Sequence, residues 1–227
     1  MSGRAAGAGD PGHVLRFKEI RSMLINFDYD GVIVDSFDQL LDLSVRAQQS
    51  LGVGRAPTRD DFRTIENLTI YDLGKLIGLP EHLASGYANE IFKFQKENWD
   101  VKVFPNIVPV LIELAQKNTL VVITSNQSNI VSNTLEEFGL DKAISRVLGG
   151  DLGSTKAERI EQSRREFQSD LQNSFMVGDA ISDVRQGKLA GVRTVAVTWG
   201  FQERELLEQE APDFVINNPK DLLKIAA

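Results

Sequence analysis

The sequence predicts an α/β fold, a doubly wound and mainly parallel sheet with an inserted helical subdomain. Two observations predict it. From about residue 23 onward, short continuous apolar runs alternate with helical patterns, as in parallel sheets that are covered on both faces. Residues 37–103 break this alternation with helical patterns alone, and such a stretch is too long for an ordinary loop.

The apolar runs give the strands in order. Five are predicted as buried strands, and a weaker sixth lies at 146–148; the five are 23–27, 120–123, 174–177, 194–197 and 214–216. Helices are predicted between them, at 106–117, 128–138, 155–167 and from about 182 to 191. Pro105 marks the start of the first helix, Gly139 ends the second and Ser154 is the predicted cap of the third. Strands that alternate with helices imply right-handed crossover connections.

The inserted stretch is predicted to hold four amphipathic helices and no buried strand. Their predicted ranges are 39–51, 59–65, 71–77 and 81–98. The sequence therefore predicts two parts of the chain, an α/β core (14–36 and 104–227) and a helical subdomain (37–103). Residues 1–13 are mostly small and glycine-rich, which predicts a disordered leader.

Composition excludes several chemistries. The 227 residues include no Cys and two His, so a thiolate nucleophile, a Cys-ligated metal and a disulfide framework are excluded. A net charge of −7 argues against nucleic-acid or anionic-membrane partners, and no apolar run approaches the roughly 18 residues of a membrane span. A cytoplasmic location is the expectation. Oligomeric state is left open.

Two carboxylates follow the first predicted strand. Asp28 and Asp30 lie two positions apart, and Gly31 comes next. Ligands of open α/β sheets bind at the carboxyl ends of strands, and the glycine permits a turn that gives the two side chains distinct roles. One carboxylate can attack phosphorus while the other handles the proton. Acidic residues in a surface turn are the alternative for this segment alone.

A second acidic pair follows a later strand. Asp179 comes directly after Gly178, and Asp183 lies four residues on, one helical turn away. A divalent cation would offset the repulsion between these carboxylates and a phosphate, and Mg²⁺ suits an oxygen-rich site best. Taken alone, the pair is equally compatible with acids that favour a helix N-terminus.

Two further strand ends offer groups that bind an anion. Thr124, Ser125 and Asn126 supply hydroxyl and amide groups ahead of a helix N-terminus, which favours anions. Lys156 lies in the first turn of a helix, where the helix dipole disfavours its charge. Helix capping and a solvated lysine are the ordinary alternatives. Lys142, in an earlier helix-end loop, competes with Lys156.

Together the four motifs resemble those of the haloacid-dehalogenase-like hydrolase superfamily, and more narrowly its phosphoglycolate-phosphatase-like members with a small helical cap. The resemblance spans residues 23 to about 218 and implies a Rossmann-like core with 37–103 as the cap. Two positions depart from the pattern. Ala157 follows Lys156 where this subgroup commonly has proline, and Ser125 separates the motif threonine from the asparagine.

The resemblance implies the catalytic roles. Asp28 would be the nucleophile that becomes an aspartyl-phosphate, and it would also bind the metal. Asp30 would protonate the leaving oxygen and then activate water, with its backbone carbonyl on the metal. Lys156 would pair with Asp28 and with the phosphoryl group of the substrate.

The resemblance also implies the binding roles. Thr124, with Ser125 and Asn126, would hold the phosphoryl oxygens. Asp179 would bind Mg²⁺ directly, and Asp183 would be a further ligand or an outer-shell partner.

The sequence therefore predicts a magnesium-dependent phosphomonoester hydrolase that acts on a small phosphorylated metabolite. Three alternatives remain: a sugar phosphomutase of the same fold, a non-enzymatic phospho-receiver-like signalling domain, and a catalytically silent binding protein. Four cations of the inserted segment are candidates for substrate contact: Arg46, Arg55, Lys75 and Lys93.

Overall fold

The computed structural model describes residues 22–66 and 69–226, so the predicted leader at 1–13 lies outside the described residues. The strands, numbered in chain order, are β1 (Leu24–Phe27), β2 (Val34–Asp35), β3 (Lys102–Val103), β4 (Thr119–Ile123), β5 (Arg146–Leu148), β6 (Ser174–Gly178), β7 (Arg193–Val197) and β8 (Phe214–Ile216). The helices are α1 (Phe37–Leu51), α2 (Arg59–Thr64), α3 (Ile70–Leu76), α4 (Ala84–Glu97), α5 (Ile107–Ala115), α6 (Ser128–Glu137), α7 (Lys156–Glu166), α8 (Ile181–Leu189), α9 (Arg204–Gln209) and α10 (Asp221–Ile225). In the described part of the chain, no helix is both long and apolar enough to cross a membrane.

Six strands form one parallel sheet in the order β5-β4-β1-β6-β7-β8. The predicted α/β class is therefore confirmed, and the weak sixth run at 146–148 is a true edge strand. β1 lies at the centre, between β4 and β6. All four of its side chains are buried, because apolar clusters cover both faces of the sheet.

Successive side chains of each central strand enter different clusters. Ile25 and Phe27 of β1 pack on one face with Leu111 of α5. Leu24 points to the other face, where it packs with Ile160 of α7. This alternation with a full core on each side explains why the strands read as unbroken apolar runs.

The helix that carries Lys156 begins one residue later than predicted, and its cap is Thr155, so the prediction of Ser154 was wrong. The Thr155 hydroxyl accepts a hydrogen bond from the Glu158 amide at 3.2 Å, and the Glu158 carboxylate accepts one from the Thr155 amide at 2.8 Å. This reciprocal pair satisfies two backbone donors, and Ser154 has no acidic residue at the matching position. Helices α9 and α10 were not predicted, because five or six residues hold no clear periodicity.

Helices α1 to α4 surround an apolar cluster of their own, which includes Leu43, Leu73, Tyr87 and Ile91. The chain enters and leaves this segment through β2 and β3, a two-stranded antiparallel pair outside the main sheet. The pair was not predicted, since two residues per strand carry no pattern. The domain boundaries at 37 and 103 stay a prediction.

Asp61 stabilises the start of α2, and this gives a prediction about pH. Both of its carboxylate oxygens lie 2.6 Å from the Arg55 guanidinium, and the Thr58 amide donates to it at 2.7 Å. The pKa of Asp61 is lowered from its ordinary value of 3.8 to about 2, and the hydrogen bonds from Arg55 are the largest cause of this shift. The pKa of this carboxyl group is lower in the folded state than in the unfolded state, so its ionised form stabilises the fold at any pH above the unfolded-state pKa. This stabilisation is lost as the pH falls to the folded-state pKa.

We therefore expect Asp61→Asn to lower the melting temperature at pH 7, and we expect the difference from the native chain to narrow as the pH falls from about 5 toward 2. Thermal unfolding followed by circular dichroism measures this difference. Asp60→Asn is the control, because Asp60 is the exposed neighbour in the same helical turn. A difference that stays constant across this range would contradict the prediction.

Candidate active site

The site lies at the carboxyl ends of β1, β4 and β6. In the strand order, β4 and β5 lie on one side of β1. The chain then crosses β1, and β6, β7 and β8 lie on its other side. The strand order therefore reverses beside β1, which is where ligands bind in open α/β sheets. Asp28 directly follows β1 and Asp179 directly follows β6, so both carboxylates lie at this crevice.

The structure brings all eight predicted site residues together. One pocket between the sheet edge and the inserted helices is lined by six of them: Asp28, Asp30, Thr124, Ser125, Asn126 and Lys156. Asp179 and Asp183 lie beside Asp28, and carboxylate oxygens of these three residues are within 4.8 Å of one another. All three are buried.

Lys156 connects the two acidic motifs. Its Nζ lies 2.6 Å from Asp28 Oδ2 and 2.6 Å from Asp183 Oδ1. Burial alone would lower the pKa of Lys156, but the carboxylates of Asp183 and Asp28 raise that pKa above its usual range. The competing candidate Lys142 is exposed and does not line the pocket.

Burial dominates the protonation of the carboxylates. It raises the pKa of Asp28 to about 7; Lys156 opposes this shift and Asp183 adds to it. It raises the pKa of Asp179 well above the usual range, and the charges of Asp183 and Asp28 add to the effect. When all three carboxyl groups are ionised, their negative charge exceeds the single positive charge of Lys156, so a further cation would favour that ionised state.

Asp179 offers a buried carboxylate oxygen that could hold a metal ion. The Phe201 amide donates to its Oδ2 at 2.7 Å. Its Oδ1 is buried without a hydrogen-bond partner in the part of the chain that the structure describes. Gly31 and Gly200 pack directly on the carboxylate, and a Cβ at either position would collide with it. A free buried oxygen among three clustered carboxylates fits the hard, oxygen-seeking Mg²⁺.

The Asp30 side chain is held by its own contacts, which differ from those of Asp28. Gly31 adopts a positive φ of 76°, and its amide donates to the Val34 carbonyl at 2.9 Å, which closes the predicted turn. The Ser36 hydroxyl donates to Asp30 Oδ1 at 2.7 Å. Burial raises the pKa of Asp30, opposed by the hydrogen bond from Ser36. A raised pKa favours the protonated form, which is the form a general acid needs.

Thr124 and its neighbours form the end of β4. The Thr124 side chain is fully buried, and its Oγ1 accepts a hydrogen bond from the Asn126 amide at 3.0 Å. Ser125 is exposed toward the pocket side of this turn. Hydroxyl and amide groups therefore border the same pocket as Lys156.

Arg159 is a contributor that the sequence did not reveal. It is only 3% exposed, and its guanidinium donates to the backbone carbonyl of Thr124 and, at 3.1 Å, to that of Leu148. It therefore ties the ends of β4 and β5 to α7, the helix that carries Lys156. In the sequence it is one of many charged residues of an amphipathic helix, with no signal of burial.

The four cations proposed for substrate contact do not line the pocket, so that expectation is not supported. Each is paired on the surface of the inserted segment: Arg46 with Asp42, Arg55 with Asp61, Lys75 with Asp72, and Lys93 with Glu90. The inserted helices face the pocket mainly with apolar side chains instead.

Most of the chain is similar in sequence to a known protein family. A family model described as haloacid dehalogenase-like hydrolase matches residues 25–197. The chain belongs to this family. The matched segment begins inside β1 and ends at the last residue of β7, so it contains all four sequence motifs.

The relatives agree with the family assignment. A phosphoglycolate phosphatase from Vibrio parahaemolyticus is 26% identical over 90% of this chain and 96% of its own length. A pyrophosphatase PpaX from Oceanobacillus iheyensis is 24% identical over 91% and 96%. A solved haloacid dehalogenase-like hydrolase from Streptococcus pneumoniae shares the fold with a TM-score of 0.78, at 21% identity over 90% and 98% of the chains. The predicted assignment to this superfamily, to its phosphoglycolate-phosphatase-like subgroup and to the phosphatases is confirmed.

Proposed function

We propose that this phosphatase is a magnesium-dependent phosphomonoester hydrolase that acts on a small phosphorylated metabolite through an aspartyl-phosphate at Asp28. The observation that carries the proposal is the position of the Asp28 carboxylate. It lies 2.6 Å from Lys156 Nζ, beside two further carboxylates, and in the same pocket as Asp30. A nucleophile, a cation and a second carboxyl group in one pocket are what phosphoryl transfer requires.

In the first step, an Asp28 carboxylate oxygen attacks phosphorus. The bond from phosphorus to the ester oxygen breaks, and Asp30 gives its proton to that oxygen, which leaves as an alcohol. Lys156 offsets the negative charge of the phosphoryl group, and the groups at Thr124 and Asn126 orient its oxygens. Burial raises the pKa of Asp30, which favours the protonated form that this step requires.

In the second step, Asp30 takes a proton from a water molecule, and the resulting hydroxide attacks phosphorus. The acyl-phosphate bond breaks, inorganic phosphate leaves and the Asp28 carboxylate is restored.

Mg²⁺ would be held by carboxylate oxygens of Asp28, Asp179 and Asp183, and by the backbone carbonyl oxygen of Asp30. The bound ion would supply positive charge that lets an anionic nucleophile approach an anionic phosphate.

The metal requirement gives the test of this function. We expect phosphate release from 4-nitrophenyl phosphate to stop in EDTA and to return when Mg²⁺ is added in excess. We also expect each ester that is consumed to yield one phosphate. Colorimetric assays of 4-nitrophenol and of inorganic phosphate measure both quantities.

Two outcomes would contradict the proposal. Turnover that is unaffected by EDTA would exclude the metal site at Asp28, Asp179 and Asp183. Isomerisation of a sugar phosphate without phosphate release would make the protein a phosphomutase, the alternative of the same fold.

A further inference from the structure

The inserted helices present an apolar surface to the pocket. Each of the four contributes at least one apolar side chain to the lining: Leu40 from α1, Phe62 from α2, Leu73 from α3 and Ile91 from α4. The core adds Phe201, whose ring packs against Phe62 with centroids 6.4 Å apart. The part of a substrate that lies beyond the phosphate would therefore contact mostly hydrocarbon.

The charged groups of the pocket all lie on the core side. Among the described residues that line it, these groups are Asp28, Asp30 and Lys156. The Lys156 ammonium already lies between the carboxylates of Asp28 and Asp183. A second anionic group on the substrate would therefore be buried among apolar side chains without a cation, which is strongly unfavourable.

One polar side chain in this surface is unpartnered. Gln95 of α4 is 1% exposed and lines the pocket, and its Nε2 has no hydrogen-bond partner in the described parts of the chain. Another polar side chain from the insert, Thr69, already accepts a hydrogen bond from the Asp72 amide at 3.1 Å. A buried donor without an acceptor is unfavourable, so a ligand that brings an acceptor gains affinity there.

We propose that the substrate is a phosphate ester of an uncharged, mainly apolar alcohol with one hydrogen-bond acceptor that meets Gln95. This rests on the proposed function and names the substrate class of the same site. The reaction is the hydrolysis described above, in which the alcohol leaves with a proton from Asp30. Phosphoglycolate and pyrophosphate do not belong to this class, because their leaving groups are anionic.

A matched panel of esters tests the substrate class. It contains cyclohexylmethyl phosphate, its ether analogue tetrahydropyran-4-ylmethyl phosphate, phosphoglycolate and pyrophosphate, all with Mg²⁺. We expect kcat/KM for the ether ester to exceed those for phosphoglycolate and pyrophosphate by roughly tenfold or more. The cyclohexyl ester should fall between, because it fits the apolar surface but leaves Gln95 unpaired.

The outcomes separate this inference from the proposed function. If phosphoglycolate or pyrophosphate is the best of the four, the inference is overturned and the hydrolase function stands. If neither these esters nor 4-nitrophenyl phosphate release phosphate, the proposed function fails, and the inference fails with it.

Two variants test the residues directly. Gln95→Met keeps the side-chain length and removes the amide, so kcat/KM for the ether ester should fall about tenfold relative to that for the cyclohexyl ester. Phe92→Arg places a cation at a half-buried position of the lining and should raise kcat/KM for phosphoglycolate. Equal losses on the ether and cyclohexyl esters in Gln95→Met would overturn the role of Gln95. Thermal unfolding verifies that both variants fold.

Discussion

Asp28→Asn is expected to abolish phosphate release, with a loss in kcat of roughly 10⁴-fold or more. An amide nitrogen or oxygen in this position is a poor nucleophile, and the neutral side chain no longer binds a cation or pairs with Lys156 Nζ. The fold should persist, because asparagine has the same shape and its oxygen can still accept the 2.8 Å hydrogen bond from the Tyr29 amide. Replacing the charge also removes repulsion from Asp179 and Asp183.

The measurement combines steady-state phosphate release with thermal unfolding of the same preparations. Asp35→Asn is the matched control, since it makes the same chemical change on an exposed carboxylate of β2, seven residues along the chain. We expect the control to retain normal turnover. Near-normal turnover in Asp28→Asn, with the variant folded, would refute the nucleophile assignment.

The sheet and the site core were predictable because both follow from short-range patterns. Unbroken apolar runs identify strands that are covered on both faces, and the carboxyl ends of parallel strands meet at one edge. Asp28 and Asp179 are 151 residues apart in sequence (179 − 28), yet each directly follows one of two paired strands. The strands alone predict that both acidic motifs lie at the same edge of the sheet, and the pairing of β1 with β6 in the structure makes them neighbours.

Contacts that depend on long-range packing were not predictable. Nothing near Arg159 in sequence indicates that its guanidinium reaches the carbonyls of Thr124 and Leu148. Likewise, Gln95 is one polar residue of an amphipathic helix, and its burial depends on how α4 packs over the core. The Thr155 cap differs in kind, because the Thr-x-x-Glu spacing was present in the sequence and could have been preferred over Ser154.

A loop of the core connects the inserted helices to Asp179. The Phe201 amide bonds Asp179, while the Phe201 ring packs edge-on against Phe37 of α1, with centroids 4.9 Å apart. The next side chain, Gln202, donates to the Ile65 carbonyl at 2.9 Å. The same loop therefore contacts both the inserted segment and a carboxylate that would hold the metal.

Lys156→Met is expected to have the second large effect, on both catalysis and stability. Methionine fills a similar volume but leaves Asp28 and Asp183 without the ammonium that lies 2.6 Å from each. Breaking a buried ion pair by removing one partner costs about 3–5 kcal/mol, so the free energy of unfolding in metal-free buffer should fall by an amount of this order. Loss of the charge beside the phosphoryl group should lower kcat/KM by roughly 10²–10³-fold.

Metal distinguishes this outcome from a simple packing defect. Mg²⁺ that binds the folded variant between the same carboxylates should recover part of the lost stability, because a ligand that binds only the folded state stabilises it. Urea unfolding with and without Mg²⁺ measures this recovery, and Lys142→Met is the control on an exposed lysine. If the two variants matched in stability and turnover, Lys156 would have no role at this site. Destabilisation that Mg²⁺ leaves unchanged would show that the carboxylates near Lys156 do not bind the ion.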